Sequence, residues 1–455
     1  MTDLTDAMLL PCGARLTNRL AKAAITEGLA DERGWPTPQL ERLYEGWADG
    51  GFGLLISGNV IVDGQHLERA GNVIIDREAT DPEQLRALRA WTAAATRGGA
   101  HFWAQLSHSG RQTPKDVNRY PLSVSDLAMD LPGAMFGKPR AMTLGEIHVV
   151  IERFANAAAV CRAVGFTGVQ IHAAHGYLLG SFLTPSANNR SDQWGGSLQN
   201  RARLLLEVVA AVRQRVGRGF PISVKLNSAD FQRGGFGAED SLIVGKWLEA
   251  AGVDLIEISG GSYESPAMLG ASGVGKASEA PPVKASTAAR EAYFLDFARA
   301  LRQQLKIPVM LTGGLRSREG MQAALDEGID VLGLARPVCV DQRCAKGLLS
   351  GQTQRLPSWE EKLRRAKGLF SANSPIAMLG VLSNFAGIFW FYAQLNRLAK
   401  GKAADVKLWP PRAMVEVMMA GNAMLSRRQR WLQAAAPANA PSPERLARAL
   451  RKNAA

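Results

Sequence analysis

Cysteine is scarce in this chain of 455 residues, which contains only Cys12, Cys161, Cys339 and Cys344. Their scatter suggests no disulfide framework and is typical of a protein kept in a reducing compartment. Cys339 and Cys344 are the only close pair, and two thiols cannot hold an iron–sulfur cluster that needs four thiolates. Residues 1–6 also lack the charged and then apolar pattern of an export signal. We therefore expect a cytoplasmic protein.

Most of the chain has almost no net charge, and the positive excess lies in the C-terminal part. The net charge is +13, from 54 Lys and Arg against 41 Asp and Glu, but residues 361–455 alone hold 16 basic and 4 acidic side chains. Such a basic C-terminal part is compatible with an anionic partner, such as a membrane surface, a nucleic acid or a phosphorylated ligand. A solvated helical surface is the simpler interpretation, and we predict no nucleic-acid partner.

The length and the hydrophobic content favour one large domain with an appendage. A (β/α)₈ barrel typically takes about 250 residues and can exceed 400 with insertions. Hydrophobic residues make up 46% of the chain, which is enough to fill a large core. A G-x-G-x-x-G motif after a strand is not evident, so a separate dinucleotide-binding fold is not predicted.

Short strands rich in Val, Ile and Leu alternate with amphipathic helices up to about residue 350. Asp81 before Pro82, and Thr143 three residues before Glu146, are typical helix starts. Eight such units indicate a parallel sheet that closes into a barrel, with a doubly wound open sheet as the alternative. We predict the eight strands at 19–25, 53–62, 101–106, 168–172, 222–226, 254–259, 308–311 and 331–335.

The composition changes after residue 350. Residues 371–396 contain no charged side chain and end near Trp390, Phe391 and Tyr392. A second helix is predicted over 412–432, then an Ala/Pro-rich linker over 434–443 and a short basic helix over 444–452. We therefore predict a barrel over 1–350, a helical extension over 351–435, and a linker with a terminal helix over 436–455.

The uncharged stretch supports two interpretations. It is long enough to cross a bilayer, and the aromatic and basic residues up to 402 suit a membrane interface. Ser383, Asn384 and Gln394 weaken a spanning interpretation. The alternative is that these helices pack on the barrel or across a homodimer interface and bury their apolar faces there.

Polar residues or glycines follow most of the predicted strands. In a (β/α)₈ barrel these positions share one rim, where the chemistry of such folds is found. A lone histidine is more often structural, and His172 with His175 lacks an evident third metal ligand, so no metal is predicted. Paired glycines followed one strand later by arginine are typical of a phosphate site. The rim positions are Thr26, Gln105, His108, His172, His175, Lys225, Asn227, Gly313, Gly314 and Arg336.

A long motif lies at the fourth strand. It runs from Ile171 through His172, His175 and Tyr177 and ends at Arg201. Further matching segments are 105–111, 312–314 and 335–337. Together they closely resemble the old yellow enzyme family, also called NADH:flavin oxidoreductases, over roughly residues 9–350.

The resemblance implies that FMN lies across the barrel mouth. Thr26 would then bind the O4 edge of the flavin, Gln105 its pyrimidine side, and Lys225 would lie near N1 and O2. Lys225 stands where many relatives have Arg, which grips with a planar fork instead of a point charge. The other implied FMN contacts are Ala23, Ala24 and Gly58 at the ring, and Gly313, Gly314, Ala335 and Arg336 at the phosphate.

The resemblance also implies a reaction. His172 and His175 would hold a carbonyl or nitro oxygen of the substrate, and Tyr177 would give a proton to its α-carbon. NADH or NADPH would first reduce the flavin, and the hydride would then pass to an electrophilic, activated alkene in a ping-pong cycle. Amine demethylation or dehydrogenation on the same barrel is an alternative, and so is a membrane-associated interaction protein in which the barrel is secondary.

Overall fold

The structure is a computed structural model that describes residues 2–76, 81–129, 135–260, 295–364 and 377–435. Within these residues, eight parallel strands lie in chain order around a closed sheet, and β8 pairs with β1. The predicted (β/α)₈ barrel is therefore confirmed, and the open-sheet alternative is wrong. The barrel strands are β1 Leu20–Lys22, β2 Leu54–Ile61, β3 His101–Ser107, β4 Gly168–Ala173, β5 Ile222–Asn227, β6 Leu255–Ser259, β7 Val309–Thr312 and β8 Val331–Leu334.

Helices surround this sheet, and several begin at the caps that the sequence predicts. Asp81 accepts the amide proton of Glu83, and Thr143 forms a complete capping box with Glu146. The helices are α1 Pro38–Ala48, α2 Pro82–Thr96, α3 Leu144–Val164, α4 Leu178–Leu183, α5 Leu198–Val216, α6 Ala238–Ala250, α7 Leu295–Gln304, α8 Arg318–Asp326 and α9 Cys344–Leu349.

The barrel interior is apolar near the amino ends of the strands. A small N-terminal hairpin, Met8–Leu9 with Arg15–Leu16, packs against interior side chains such as Trp103 and Met310. Gly168 faces Trp103 across the strand pair, and a Cβ there would lie 2.5 Å from the indole ring. Apolar side chains thus fill the barrel at the amino ends of the strands, and its polar interior residues lie toward the carboxyl ends.

The C-terminal extension consists of α10 Trp359–Arg364, α11 Ala377–Ala399 and α12 Pro410–Ala435. Helix α11 packs against α1 and buries Trp390. The Arg428 guanidinium of α12 donates to the carbonyl oxygens of Glu32 and Gly64, 3.0 Å away in both cases. Helix α11 therefore buries apolar side chains against the barrel, whereas α12 leaves Val415, Met418 and Met419 exposed.

Among the helices of the described residues, none is both long enough and apolar enough to cross a membrane. The uncharged stretch is helical from Ala377, and the helix continues past the predicted end at 396 to Ala399. The predicted linker from residue 436 onward and the predicted terminal helix lie outside the described residues, whereas residues 434 and 435 belong to the helix Pro410–Ala435 instead of a linker.

Candidate active site

Three side chains meet at the carboxyl end of β4. His172 is the last interior position of the strand, and Tyr177 is the residue immediately before α4. The ring centre of His172 lies 5.1 Å from that of His175 and 4.8 Å from that of Tyr177, both nearly edge-on. The structure therefore brings together the three residues predicted to be catalytic.

Backbone and strand-end groups orient the two imidazoles. The Ala174 amide donates to His172 Nδ1 at 3.2 Å, so the neutral His172 ring carries its proton on Nε2. His175 has a left-handed backbone with φ of 60°, and its amide donates to Asn227 Oδ1. His175 Nε2 lies 2.7 Å from Ser259 Oγ at the end of β6.

Burial keeps both histidines neutral. The pKa of His172 is well below its ordinary value because burial disfavours the charged ring, and the Lys225 charge lowers it further. The pKa of His175 is lowered by the same two causes and by His172 itself. At neutral pH the pair therefore offers N–H donors and not imidazolium acids.

A chain of polar side chains crosses the barrel interior below the histidines. Gln105 Nε2 donates to Gln170 Oε1 at 2.7 Å, and Gln170 Nε2 donates to Glu257 Oε2 at 2.8 Å. Glu257 Oε1 lies 2.8 Å from Lys225 Nζ, and both side chains are almost completely buried. Lys225 is thus near the histidines as predicted, but Glu257 compensates its charge.

The predicted ring-contact residues of β1 and β2 lie side by side. Ala23 is buried and its amide donates to the Leu334 carbonyl of β8, whereas Ala24 is half-buried. A Cβ at Gly58 would lie 2.6 Å from the Ile25 carbonyl oxygen and 2.9 Å from the Thr26 Cα. Glycine is therefore required at position 58 for β2 to approach the chain after β1.

A buried group of charged and polar side chains, Glu27, Lys22 and Tyr44, holds β2 against the chain that follows β1. Glu27 Oε1 accepts the Gly58 amide proton at 3.1 Å and the Tyr44 hydroxyl proton. Lys22 Nζ lies 3.7 Å from the same oxygen and donates to the Ile56 carbonyl at 2.7 Å. Burial lowers the pKa of Lys22 to about 8. These contacts fix the backbone that carries Thr26.

An anion-binding geometry follows β7 and β8. Gly313 and Gly314 have φ of 131° and 82°, and successive glycines in such conformations can turn their amides toward one anion. Ala335 precedes a short 3₁₀ turn that begins at Arg336. Arg336 Nη1 lies 3.7 Å from Glu360 Oε1 of the extension, and Glu360 also pairs with Arg316. Arg336 and Arg316 thus converge on the same Glu360 oxygen.

These residues fit FMN. The glycine amides and Arg336 suit a phosphate, and Gly58 allows β2 to approach the chain that carries Thr26. Two buried polar atoms also have no hydrogen-bond partner within the described residues: Asn59 Oδ1 beside Gly58, and Thr312 Oγ1 beside Gly313. Buried polar atoms are normally paired, so unsatisfied ones at these positions are consistent with a polar ligand.

A second cluster of titratable groups joins the ends of β2 and β3 to α3. His66 Nδ1 lies 3.1 Å and His108 Nε2 lies 3.7 Å from Asp63 Oδ2, and the two rings are stacked. Arg153 Nη1 lies 2.5 Å from the same oxygen. Although burial raises the pKa of Asp63, His108 and His66 lower it far below the ordinary value.

The hydrogen bonds of this cluster disfavour a metal ion, although its three ligand types are suitable. The Leu122 amide donates to His66 Nε2 at 2.8 Å, and the Gly110 amide donates to His108 Nδ1 at 3.1 Å. In a neutral ring the proton must then lie on the nitrogen that faces Asp63, where a metal would need a lone pair. The cluster is better described as a carboxylate that holds two imidazoles and an arginine.

Sequence reasoning missed Gln170, Glu257, Ser259 and Glu68. A signal was present for the first three. Gln170 lies two residues before His172, and Glu257 two before Ser259, so in each strand both side chains point to the interior face. Glu68 carried no such signal, because it lies in an irregular segment between β2 and α2.

The closed barrel and its rim define the chain as an oxidoreductase of the flavin-binding barrel class. The chain belongs to the NADH:flavin oxidoreductase / NADH oxidase family, whose sequence model matches residues 13–353. This is the old yellow enzyme family that the motifs predicted, so the predicted family and enzyme class are confirmed. FMN is the cofactor of this family.

Two curated relatives and one solved structure illustrate the similarity. NADH-dependent flavin oxidoreductase iliE of Hypocrea jecorina is 36% identical over 365 residues, which covers 75% of this chain and 87% of that protein. Its namesake from Neonectria sp. is 36% identical over 360 residues, and the match spans 75% of this chain but only 46% of that protein. The old yellow enzyme homologue from Zymomonas mobilis has a TM-score of 0.64 and 25% identity, covering 78% of this chain and 94% of that one.

Proposed function

We propose that the protein is an ene-reductase. In this proposal residues 1–350 form an FMN-binding barrel, and the substrate is an activated alkene such as an α,β-unsaturated carbonyl or nitro compound. Bound at the rim, with its phosphate at Gly313, Gly314 and Arg336, FMN would supply hydride taken from NADH or NADPH for transfer to the β-carbon of the alkene. The observation that carries the proposal is the pair of neutral imidazoles, with His172 buried and His175 half-buried, and Tyr177 packed against His172.

The imidazoles bind the oxygen on which charge develops. His172 Nε2 carries a proton, and if the Ser259 hydroxyl donates to His175 Nε2, the His175 proton lies on Nδ1. Two N–H donors then face one substrate oxygen. As hydride adds to the β-carbon, the π electrons move toward this oxygen, and donors fixed in advance stabilise the resulting enolate.

Tyr177 completes the addition. A phenol with a pKa of about 10 remains protonated at neutral pH, whereas the histidines have no acidic proton to give there. The Tyr177 hydroxyl protonates the α-carbon, and the tyrosinate regains a proton from solvent. One hydride and one proton are thereby added across the double bond, and the nicotinamide is the species oxidised.

The test separates the oxidative half-reaction from reduction by the nicotinamide. Pre-reduced holoenzyme is mixed in a stopped-flow instrument with 2-cyclohexen-1-one or a nitroalkene, and flavin reoxidation is followed without oxygen. We expect fast reoxidation, and we expect His172→Asn and His175→Asn to slow it by about 10²-fold or more. His148→Asn is the matched control, since His148 is exposed on α3.

Two results would contradict the proposal. One is reoxidation by every activated alkene at the rate of free reduced FMN. The other is an equal effect of the His148 and His172 substitutions. Anaerobic bleaching of the oxidised flavin by a secondary or tertiary amine would instead favour the dehydrogenase alternative.

A further inference from the structure

One carboxylate is bound directly to the residue predicted to contact the O4 edge of the flavin. Glu68 Oε2 accepts the Thr26 hydroxyl proton at 2.7 Å. The same oxygen accepts from Asn59 Nδ2 at 3.1 Å and from Asn72 Nδ2 at 3.4 Å. Three donors from three different segments therefore converge on a single oxygen of a half-buried side chain.

These contacts use the single hydroxyl proton of Thr26 in its hydrogen bond to Glu68. A threonine has one hydroxyl proton, and a hydrogen bond to an ionised acceptor is stronger than one to a neutral carbonyl. Asn59 Nδ2 approaches Thr26 Oγ1 from another side, at 3.4 Å. Because the Thr26 hydroxyl donates its hydrogen bond to Glu68, the Thr26 oxygen can only accept a hydrogen bond at the rim.

The C-terminal extension contacts the segment that carries Glu68. The Arg69 guanidinium carbon lies 4.2 Å from the centre of the Tyr392 ring of α11, which is a cation–π distance. The Arg69 amide also donates to Asn72 Oδ1 at 2.9 Å. Burial and the Glu68 charge raise the pKa of Tyr392 to about 12.

We propose that Glu68 is a positioning residue that turns the Thr26 hydroxyl away from the cofactor and places a negative charge at its carbonyl edge, with Tyr392 of α11 holding the Glu68 segment through Arg69. The inference rests on the proposed function, because it requires FMN at the rim. A carboxylate beside the ring opposes the negative charge that reduction brings, so it lowers the reduction potential. The bound cofactor is then harder to reduce and donates hydride more readily.

The experiment measures the reduction potential of the bound flavin against a reference dye in two variants. Glu68→Gln removes the charge but keeps an acceptor for the Thr26 proton. Glu68→Leu removes both, so Thr26 can donate to the flavin. We expect the potential to rise in the order wild type, Glu68→Gln, Glu68→Leu. The change from wild type to Glu68→Leu should be at least about tenfold in the reduction equilibrium constant, or about 30 mV for a two-electron couple.

The contribution of the Thr26 hydroxyl to these potentials is tested by repeating both Glu68 substitutions in a Thr26→Val protein. There the additional rise from Gln to Leu should vanish, because no hydroxyl remains to be redirected. Glu152→Gln on the outer helix α3 is the matched control, since that carboxylate is exposed. Equal potentials for wild type and both Glu68 variants would overturn the inference, and so would a Gln-to-Leu step that persists without Thr26.

Tyr392 gives an independent readout if the Glu68 variants fail to fold or to retain FMN. Tyr392→Leu removes the ring under Arg69 and should raise the potential, whereas Tyr392→Phe keeps the ring and should leave it near the wild-type value. Identical potentials in the Phe and Leu variants would contradict the role given to α11. Failure of the wild-type protein to bind FMN would contradict the proposed function itself, so the two failures are distinguishable.

Discussion

His172 exposes its Nε2 proton because the Ala174 amide occupies the Nδ1 lone pair. The direction of this donor is thus set by the backbone of the turn after β4 and does not depend on a second side chain. Burial and Lys225 keep the ring neutral. In the proposed reaction a neutral ring binds oxygen as a donor without becoming the acid, and Tyr177 is the proposed source of the proton.

The substitution Tyr177→Phe tests the proposal that Tyr177, and not a histidine, donates the proton. We expect the oxidative half-reaction with 2-cyclohexen-1-one to slow by about 10²- to 10⁴-fold, the usual contribution of a general acid. Reduction by NADH needs no proton from this residue and should change far less. The two half-reactions are measured separately by stopped-flow absorbance. Equal slowing of both, or of neither, would contradict the assignment of Tyr177 as the proton donor.

Lys225 shows what the sequence could and could not reveal at this scale. Its position at the rim was predictable from the end of β5 and from the family motif. Its neutralisation was not, because Glu257 becomes its neighbour only through the register of β5 and β6. The Lys225–Glu257 pair therefore has little net charge. Glu68 is the carboxylate that we propose tunes the potential of a bound flavin.

At the scale of elements, helix starts were the most predictable features. Asp81 and Thr143 cap α2 and α3 because their side chains satisfy free amides of the first turn. Helix α4 was not predicted, since its six residues Leu178–Leu183 are all buried and show no amphipathic period. Its position depends on tertiary contacts, including the Leu178 amide donating to the His108 carbonyl.

The Asp63 cluster joins β2, β3 and α3 and predicts how stability depends on pH. Burial, and then His66, lower the pKa of His108 to about 4. The unfolded side chain takes up a proton near pH 6.5, whereas the native one stays neutral, so the unfolded state binds more protons between these values. Stability should therefore fall as the pH drops from about 6.5 to 4, by about 3 kcal/mol from His108 alone.

Urea unfolding at several pH values between 7 and 4 measures this contribution. In His108→Asn the loss of stability on acidification should be smaller than in the wild type by up to about 1.4 kcal/mol per pH unit. His108→Gln is a second variant with the same expectation. If both variants lose stability with acid as steeply as the wild type, His108 is not the group that titrates.

For the whole molecule, closure of the barrel was predictable because eight strand–helix units match the number in a (β/α)₈ barrel, although a doubly wound open sheet also covers both faces of its parallel strands. The packing of the extension was not. It depends on partners hundreds of residues away, such as Arg428 with Glu32 and Gly64, and Tyr392 with Arg69. The uncharged stretch by itself is compatible with both a membrane interpretation and packing on the barrel, because it does not specify these partners.

We propose that side chains from widely separated strands form a single FMN site at the carboxyl rim of the barrel. The most direct test is the visible spectrum of the purified full chain after incubation with FMN and removal of unbound cofactor. We predict the absorption of one bound oxidised flavin per chain, lost when NADH or NADPH is added without oxygen. A folded, colourless protein that does not retain FMN would contradict the account.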